Sequence, residues 1–225
     1  KTSKKSSIFF DVGANTGDYS LELINNGLDS KLFIVEPNKK SITLAIKKLL
    51  KHNYKNFYAM NLALSNENRK SINFFNPLNS KESVLASLYD MRSIGYHTKI
   101  NKIKVKVKKL TNILSQFKIK KVHFIKIDVE GNEFNVIKGA EKFIDNGNIN
   151  FIQFEFGHAT RAARVYLHDI VFFLEARGYK IYVIKPSGLL PLNFTPWSEN
   201  CYSYINFLAA NKNSLKDISD IIIDN

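Results

Sequence analysis

Short apolar runs rich in Ile, Val and Phe alternate with helical patterns along most of this chain, and that alternation limits the fold more than any single motif does. Strands that are apolar on both faces need cover on both faces, and crossover helices between parallel strands supply it. An α/β fold with a mostly parallel sheet is therefore expected. "IFFDV" reads as the first strand, with a helix over about residues 17–27 carrying Tyr19, Leu21, Leu23 and Ile24 and ended by Gly27. "KLFIVE" is a second strand, followed by a helix near 39–51 with an apolar stripe of Ile42, Ala45, Ile46, Leu49 and Leu50. "FYAMNLALS" is a third.

Between about 70 and 109 the period changes. "KSINFF" and "KIKVKVKKL" alternate residue by residue, which predicts an inserted antiparallel pair with one wet face. The long segment between them is expected to serve as a lid or binding loop. A short helix from Thr111 to about Phe117, the strand "VHFIKID", a Gly131 turn and a helix over about 132–145 follow. Then come "NFIQFEF", a helix near 162–177, "YKIYVI", a loop with Pro186, Gly188, Pro191 and Pro196, and the strand "CYSYINFLAAN".

With 225 residues, 44% of them hydrophobic, one sizeable core is expected, and one domain over 1–225. The net charge of +13 favours phosphate-bearing partners, but nearly all of it is lysine accompanied by abundant Asn and Ile, a pattern that compositional bias alone also produces. Arginine forks suited to phosphate or base recognition are scarce, so nucleic-acid binding does not follow from charge. The single cysteine, Cys201, excludes an internal disulfide and zinc-type spacing and reads as packing material; a reducing, cytoplasmic setting fits. No apolar run reaches the roughly 18 residues that span a bilayer.

The turn after the first strand reads "DVGANTG". Asn15 and Asp18 occupy two of the positions where a dinucleotide fingerprint needs glycine, and no phosphate-cradling loop with its lysine is present. What remains suits a ligand with an amino-acid tail and no phosphates, S-adenosylmethionine. Asp11 would accept from the ligand ammonium, Gly13 and Gly17 admit the backbone closely, and Asn15 offers an amide. Glu36, ending the second strand, would take the ribose hydroxyls. Capping of the following helices is the rival reading of both acids.

Four blocks in order, "FFDVGANTGDYS", "IVEPN", "NLALSNENR" with "LASL", and "VHFIKIDVEGNEFNVIKGAEKFI" followed by "FIQFEF", resemble the FkbM-type methyltransferase family from about residue 8 to 185. The last block is the most specific, through Lys126, Asp128, Glu130, Gly131, Glu133, Lys138 and Gly139. Where the family usually has a Thr-Leu-Asp step, this chain reads Lys109, Leu110, Thr111, Asn112. The resemblance implies a Rossmann-like, doubly wound, mostly parallel sheet with an antiparallel edge strand. It divides the chain into a cofactor half (about 8–65), an inserted lid (about 66–110) and an acceptor half (about 111–210). It also implies methylation by S-adenosylmethionine, leaving S-adenosylhomocysteine, most often on an oxygen of a sugar or related metabolite. Ala14, Pro37, Ala63 and Asp128 join the expected cofactor contacts.

Methyl transfer needs an acceptor held in line and, for a hydroxyl, a base. Asp128 and Glu130, two residues apart, would project to one side of an extended turn. They are candidates for base, for a carboxylate pair on Mg²⁺, or for anchors of the turn. Glu155, inside apolar "FIQFEFG", is a candidate base with a burial-raised pKa or a buried acid with a cationic partner. His158 reads as a loop histidine, base or bystander, and His52, His97, His123 and His168 have weaker cases. Ser87, Tyr89, Arg92 and Tyr96 on the lid are candidates for binding a saccharide acceptor, with Trp197 completing the wall. Nucleic-acid or protein methylation, and a non-catalytic scaffold binding cofactor or glycan, are the alternatives; oligomeric state and metal need are not legible.

Overall fold

The computed structural model of the chain describes residues 7–78, 86–95, 99–195 and 204–223. Eleven strands are seen among these residues: β1 (Ile8–Val12), β2 (Lys31–Val35), β3 (Phe57–Met60), β4 (Ala63–Leu64), β5 (Arg69–Pro77), β6 (Ile100–Lys108), β7 (Val122–Ile127), β8 (Ile149–Phe156), β9 (Tyr179–Lys185), β10 (Gly188–Pro191) and β11 (Ile205–Asn211). The helices are α1 (Asp18–Asn25), α2 (Lys39–Lys51), α3 (Leu110–Gln116), α4 (Glu133–Gly139), α5 (Glu141–Asp145), α6 (His158–Ala163) and α7 (Leu167–Glu175).

Eight strands form the main sheet in the order β10-β9-β11-β8-β7-β1-β2-β3. From β3 to β8 all neighbours are parallel. The expected antiparallel edge strand is β10, in a stretch read from sequence as loop. A second antiparallel strand, β11, lies inside the sheet between β8 and β9. Because β1 pairs with β2 on one side and β7 on the other, the chain reverses direction of travel there, opening a crevice beyond the strand ends.

Alternate residues of each strand feed opposite apolar layers, which is why the runs are continuously apolar. Phe10, Val12, Phe33 and Val35 pack with Leu110, Ile113, Val136 and Ile137 of α3 and α4, while Phe9, Leu32 and Ile34 pack with Ile42, Ala45 and Leu49 of α2. Leu50, expected in that stripe, is instead exposed, since it stands off the axis that Ile42, Ala45 and Leu49 define.

Three expected elements divide. "FYAMNLALS" ends as β3 at Met60, and β4 crosses to a second sheet of order β4-β6-β5, whose β5 and β6 are the expected antiparallel pair. The helix expected over 132–145 breaks at Ala140, where Gly139 passes so close to Ser65 that a Cβ would overlap its carbonyl. The helix expected from 162 begins at His158 and breaks at Arg164, whose φ of 55° is left-handed. No helix of the described residues is long and apolar enough to cross a membrane.

Candidate functional site

The turn between β1 and α1 is held by backbone: the N–H groups of Gly13 and Ala14 both donate to the Val35 carbonyl, and Gly17 N–H to that of Ala14. Gly13 has φ +82°, and a Cβ there would overlap the Asp128 carbonyl oxygen, so the first turn lies directly against the one after β7. Gly17, with φ +79°, lets α1 rest against Ala45 of α2. Asn15, at φ 44°, turns its N–H to Glu36 Oε2 at 3.0 Å, and Asn38 N–H reaches Glu36 Oε1 at 2.7 Å. Burial pushes the Glu36 carboxyl up to about 7 despite those two donors. Each of its oxygens keeps a lone pair for a further donor.

Asp11 departs from expectation. Its carboxyl has no exposed surface: Oδ2 accepts from Ser20 at 2.6 Å, and Oδ1 faces Lys126 Nζ at 3.7 Å. It is an internal anchor and lines neither of the cavities described below. Lys126, paired with Asp11 across β1 and β7, also holds Asp128 Oδ2 at 3.0 Å. Burial works to lower the lysine pKa, but Asp11 and Asp128 outweigh it and hold it above the ordinary value.

After β7 the chain does not stay extended. Glu130 is left-handed at φ 53° and Gly131 follows at φ 104°, so it is a tight turn, not an extended chain, that brings Asp128 and Glu130 to the same side. The turn is braced by Glu133, buried at the start of α4: its Oε1 accepts from Val129 N–H (2.9 Å) and its Oε2 from Gly131 N–H (2.9 Å). Glu130 is thereby released from the anchoring role, and its Oε2 is buried with no hydrogen-bond partner. Burial first, then Asp128, Glu133 and Glu155, push the Glu130 carboxyl up to about 9.

Glu155 arrives from β8, whose parallel register sets Phe154 beside Ile127. Asp128, Glu130 and Glu155 then converge with carboxylate oxygens all within 4.8 Å. Burial, and secondarily Asp128, push Glu155 up to about 7. Three such carboxylates can share protons or hold a divalent cation, with Lys126 already neutralising Asp128. His158 opens α6, in place of the expected loop, and its ring lies edge-on to Tyr204 at 5.5 Å.

Two cavities flank Gly13. A polar one is lined by Gly13, Asn15, Glu36, Asn38, Asp128 and Glu130 among others. An apolar one is lined by Val35, Pro37, Leu62, Ala63, Leu88 and Val129 with Gly13. Ala14 is buried beneath them.

The described lid residues are engaged within the protein. Ser87 is fully buried, its hydroxyl donating to the Glu130 carbonyl at 2.6 Å and accepting from Tyr89 N–H, so it straps the turn. Arg92 is bound by its own neighbour, Nε and Nη2 both donating to Asp90. The Tyr89 hydroxyl is engaged with Asn132 and Asn135. Tyr96, His97, Trp197 and Cys201 lie outside the described residues. Sequence reading assigned no role to Lys126, Glu133 or Asn38, although the first-turn acid and the helix-capping Asn were visible signals.

Parallel strands with a reversal of direction at β1, a glycine turn against it, an acid after β2 and carboxylates after β7 and β8 make up the architecture of a class I S-adenosylmethionine-dependent methyltransferase. The description "Methyltransferase FkbM domain" matches residues 11–181, and the chain belongs to the FkbM methyltransferase family. "Methyltransferase 1" of Beauveria bassiana (strain ARSEF 2860) is 23% identical over 200 residues, covering 82% of this chain and 77% of that protein. Among solved structures, M. capricolum TrmK with S-adenosyl-homocysteine has a TM-score of 0.51 at 11% identity, over 94% of this chain and 65% of that one. An rRNA methylase from Streptococcus thermophilus has a TM-score of 0.50 at 10% identity, over 92% and 88%. At those identities the likeness shows the fold. The family makes the chain a methyltransferase domain.

Proposed function

We propose that the enzyme methylates an oxygen of a sugar, glycan or related hydroxyl compound. The observation that carries this reading is the convergence of Asp128, Glu130 and Glu155 within 4.8 Å beside the polar cavity. Carboxyl groups that close offer acceptors and, where protonated, donors to the hydroxyls of a neutral polyhydroxyl compound, and the cation beside them, Lys126, is held by Asp128 and is not free for a nucleic-acid phosphate.

The cavities fit the donor. Glu36 carries free lone pairs toward ribose hydroxyls, the apolar cavity along Pro37 and Ala63 suits a planar base, and Gly13 and Asn15 border the remainder. When bound, S-adenosylmethionine supplies an electrophilic methyl group on a sulfonium. Glu155, with its pKa near 7, holds the acceptor hydroxyl and takes its proton. Glu130, protonated at neutral pH, donates to a second acceptor oxygen and cannot serve as base. Lys126 fixes Asp128 in orientation.

Calorimetric titration of the stripped protein with S-adenosylmethionine tests the cofactor half: binding is expected, and Glu36→Ala is expected to weaken it at least tenfold, as loss of hydrogen bonds to a buried carboxylate does. A Glu36→Ala variant with full affinity rules out the ribose role. Labelled donor incubated with a panel of free and carrier-linked saccharides tests the acceptor half; label appearing only on RNA or protein overturns it.

A further inference from the structure

The small sheet has two unlike faces. Its inner face packs Phe74, Val105 and Val107 onto Ala63, roofing the apolar cavity. The outer face carries Lys102, Lys104, Lys106 and Lys108 in one row along β6, about 7 Å apart at two residues per step. Lys104 stands opposite Asn73 and Lys102 opposite Phe75, over whose ring its Nζ lies at 5.5 Å. Lys102, Lys104 and Lys106 are exposed, and none of them is in an ion pair among the described residues. Asp90 feels the charge of Lys102 only weakly and is already held by Arg92.

We infer that this outer face docks the enzyme on an anionic phospholipid bilayer. Charge complementarity carries the inference: a row of exposed lysines along one face of the sheet offers point charges to a plane of headgroup phosphates. The same face is poorly suited to a nucleic acid. Among the described residues it has no arginine fork, and the Phe75 ring is covered by Lys102 instead of open to stacking. The inference goes beyond the acceptor reading and does not depend on it, since a bilayer dock serves any acceptor presented at a membrane.

Cosedimentation of the full chain with vesicles tests it. Binding is expected to phosphatidylcholine vesicles doped with phosphatidylglycerol, to be absent with phosphatidylcholine alone, and to fall with salt. The triple variant Lys102→Ser, Lys104→Ser, Lys106→Ser is expected to lose about a hundredfold in partitioning, about fivefold per lysine. A second triple, Lys47→Ser, Lys51→Ser, Lys120→Ser, removes the same charge from other exposed positions and is expected to keep binding within a fewfold. Thermal melts and cofactor titration of both triples report whether either is misfolded. Failure of the native protein to pellet with anionic vesicles, equal losses in the two triples, or displacement from vesicles by a single-stranded RNA oligomer at the same salt each overturns the inference.

Discussion

Two turns meet at the centre of this molecule, one after β1 and one after β7, and they use their acids in opposite ways. In the first, the acid comes from afar: Glu36, at the end of the neighbouring strand, spends one lone pair of each oxygen on backbone N–H groups of Asn15 and Asn38. In the second, Glu133 from the turn's own helix does the bracing. That leaves Asp128 and Glu130 facing Glu155 with no backbone donor between them. A carboxylate that accepts from backbone amides builds a shape, Glu36 with a lone pair to spare on each oxygen, and one left without them keeps its proton chemistry.

The comparison breaks most completely where the turns touch. Gly13→Ala puts a Cβ into the Asp128 carbonyl at a φ of +82° and is expected to abolish cofactor binding by calorimetry. Gly27→Ala, at φ +86° with nothing within 4 Å of the new atom, is expected to bind normally and to lose only about 1 kcal/mol in a denaturant melt. Similar losses in both would mean that left-handed strain, and not contact between the turns, governs the first.

Glu155→Gln separates chemistry from shape at the second turn. Turnover is expected to fall by about 10²–10⁴ with cofactor affinity unchanged. In the native enzyme the rate is expected to rise with pH through about 7 as this base loses its proton, and the variant to lose that limb. A variant that keeps the limb places the base elsewhere, with Asp128 the next carboxylate to substitute.

The smallest effect concerns the bracing acid. Burial holds the Glu133 carboxyl at about 7 in the folded chain against 4.5 for the ordinary group. An acid with a raised folded-state pKa lends stability that is complete below its unfolded pKa and is lost as pH rises through its folded value. Glu36 and Glu155 shift the same way. The apo protein is expected to melt higher at pH 5 than at pH 8, with Glu133→Gln narrowing the gap by about 1–3 kcal/mol. A melting temperature that climbs from pH 5 to pH 8 contradicts this.

Local pattern was enough for most elements. β1, β2, α2, β7 and β8 stand where their apolar periods put them, because burial on two faces leaves a run of Ile, Val and Phe little choice. Where pattern failed, long-range contact had intervened. β10 formed from a Gly and Pro stretch because β9 offered it an edge, and α4 stopped at Gly139 because Ser65 lies against it.

The class of sheet, the glycine turn after the first strand and the acids that border the site are all legible in local sequence. Which of those acids face one another is set by contacts between distant parts of the chain. Asp11 is sealed against Ser20 and Lys126, Ser87 is turned inward to Glu130, and Glu155 is carried to Asp128 by the parallel register of β7 and β8. Burial and unshared lone pairs are properties of neighbours distant in the chain, so no local spacing encodes them.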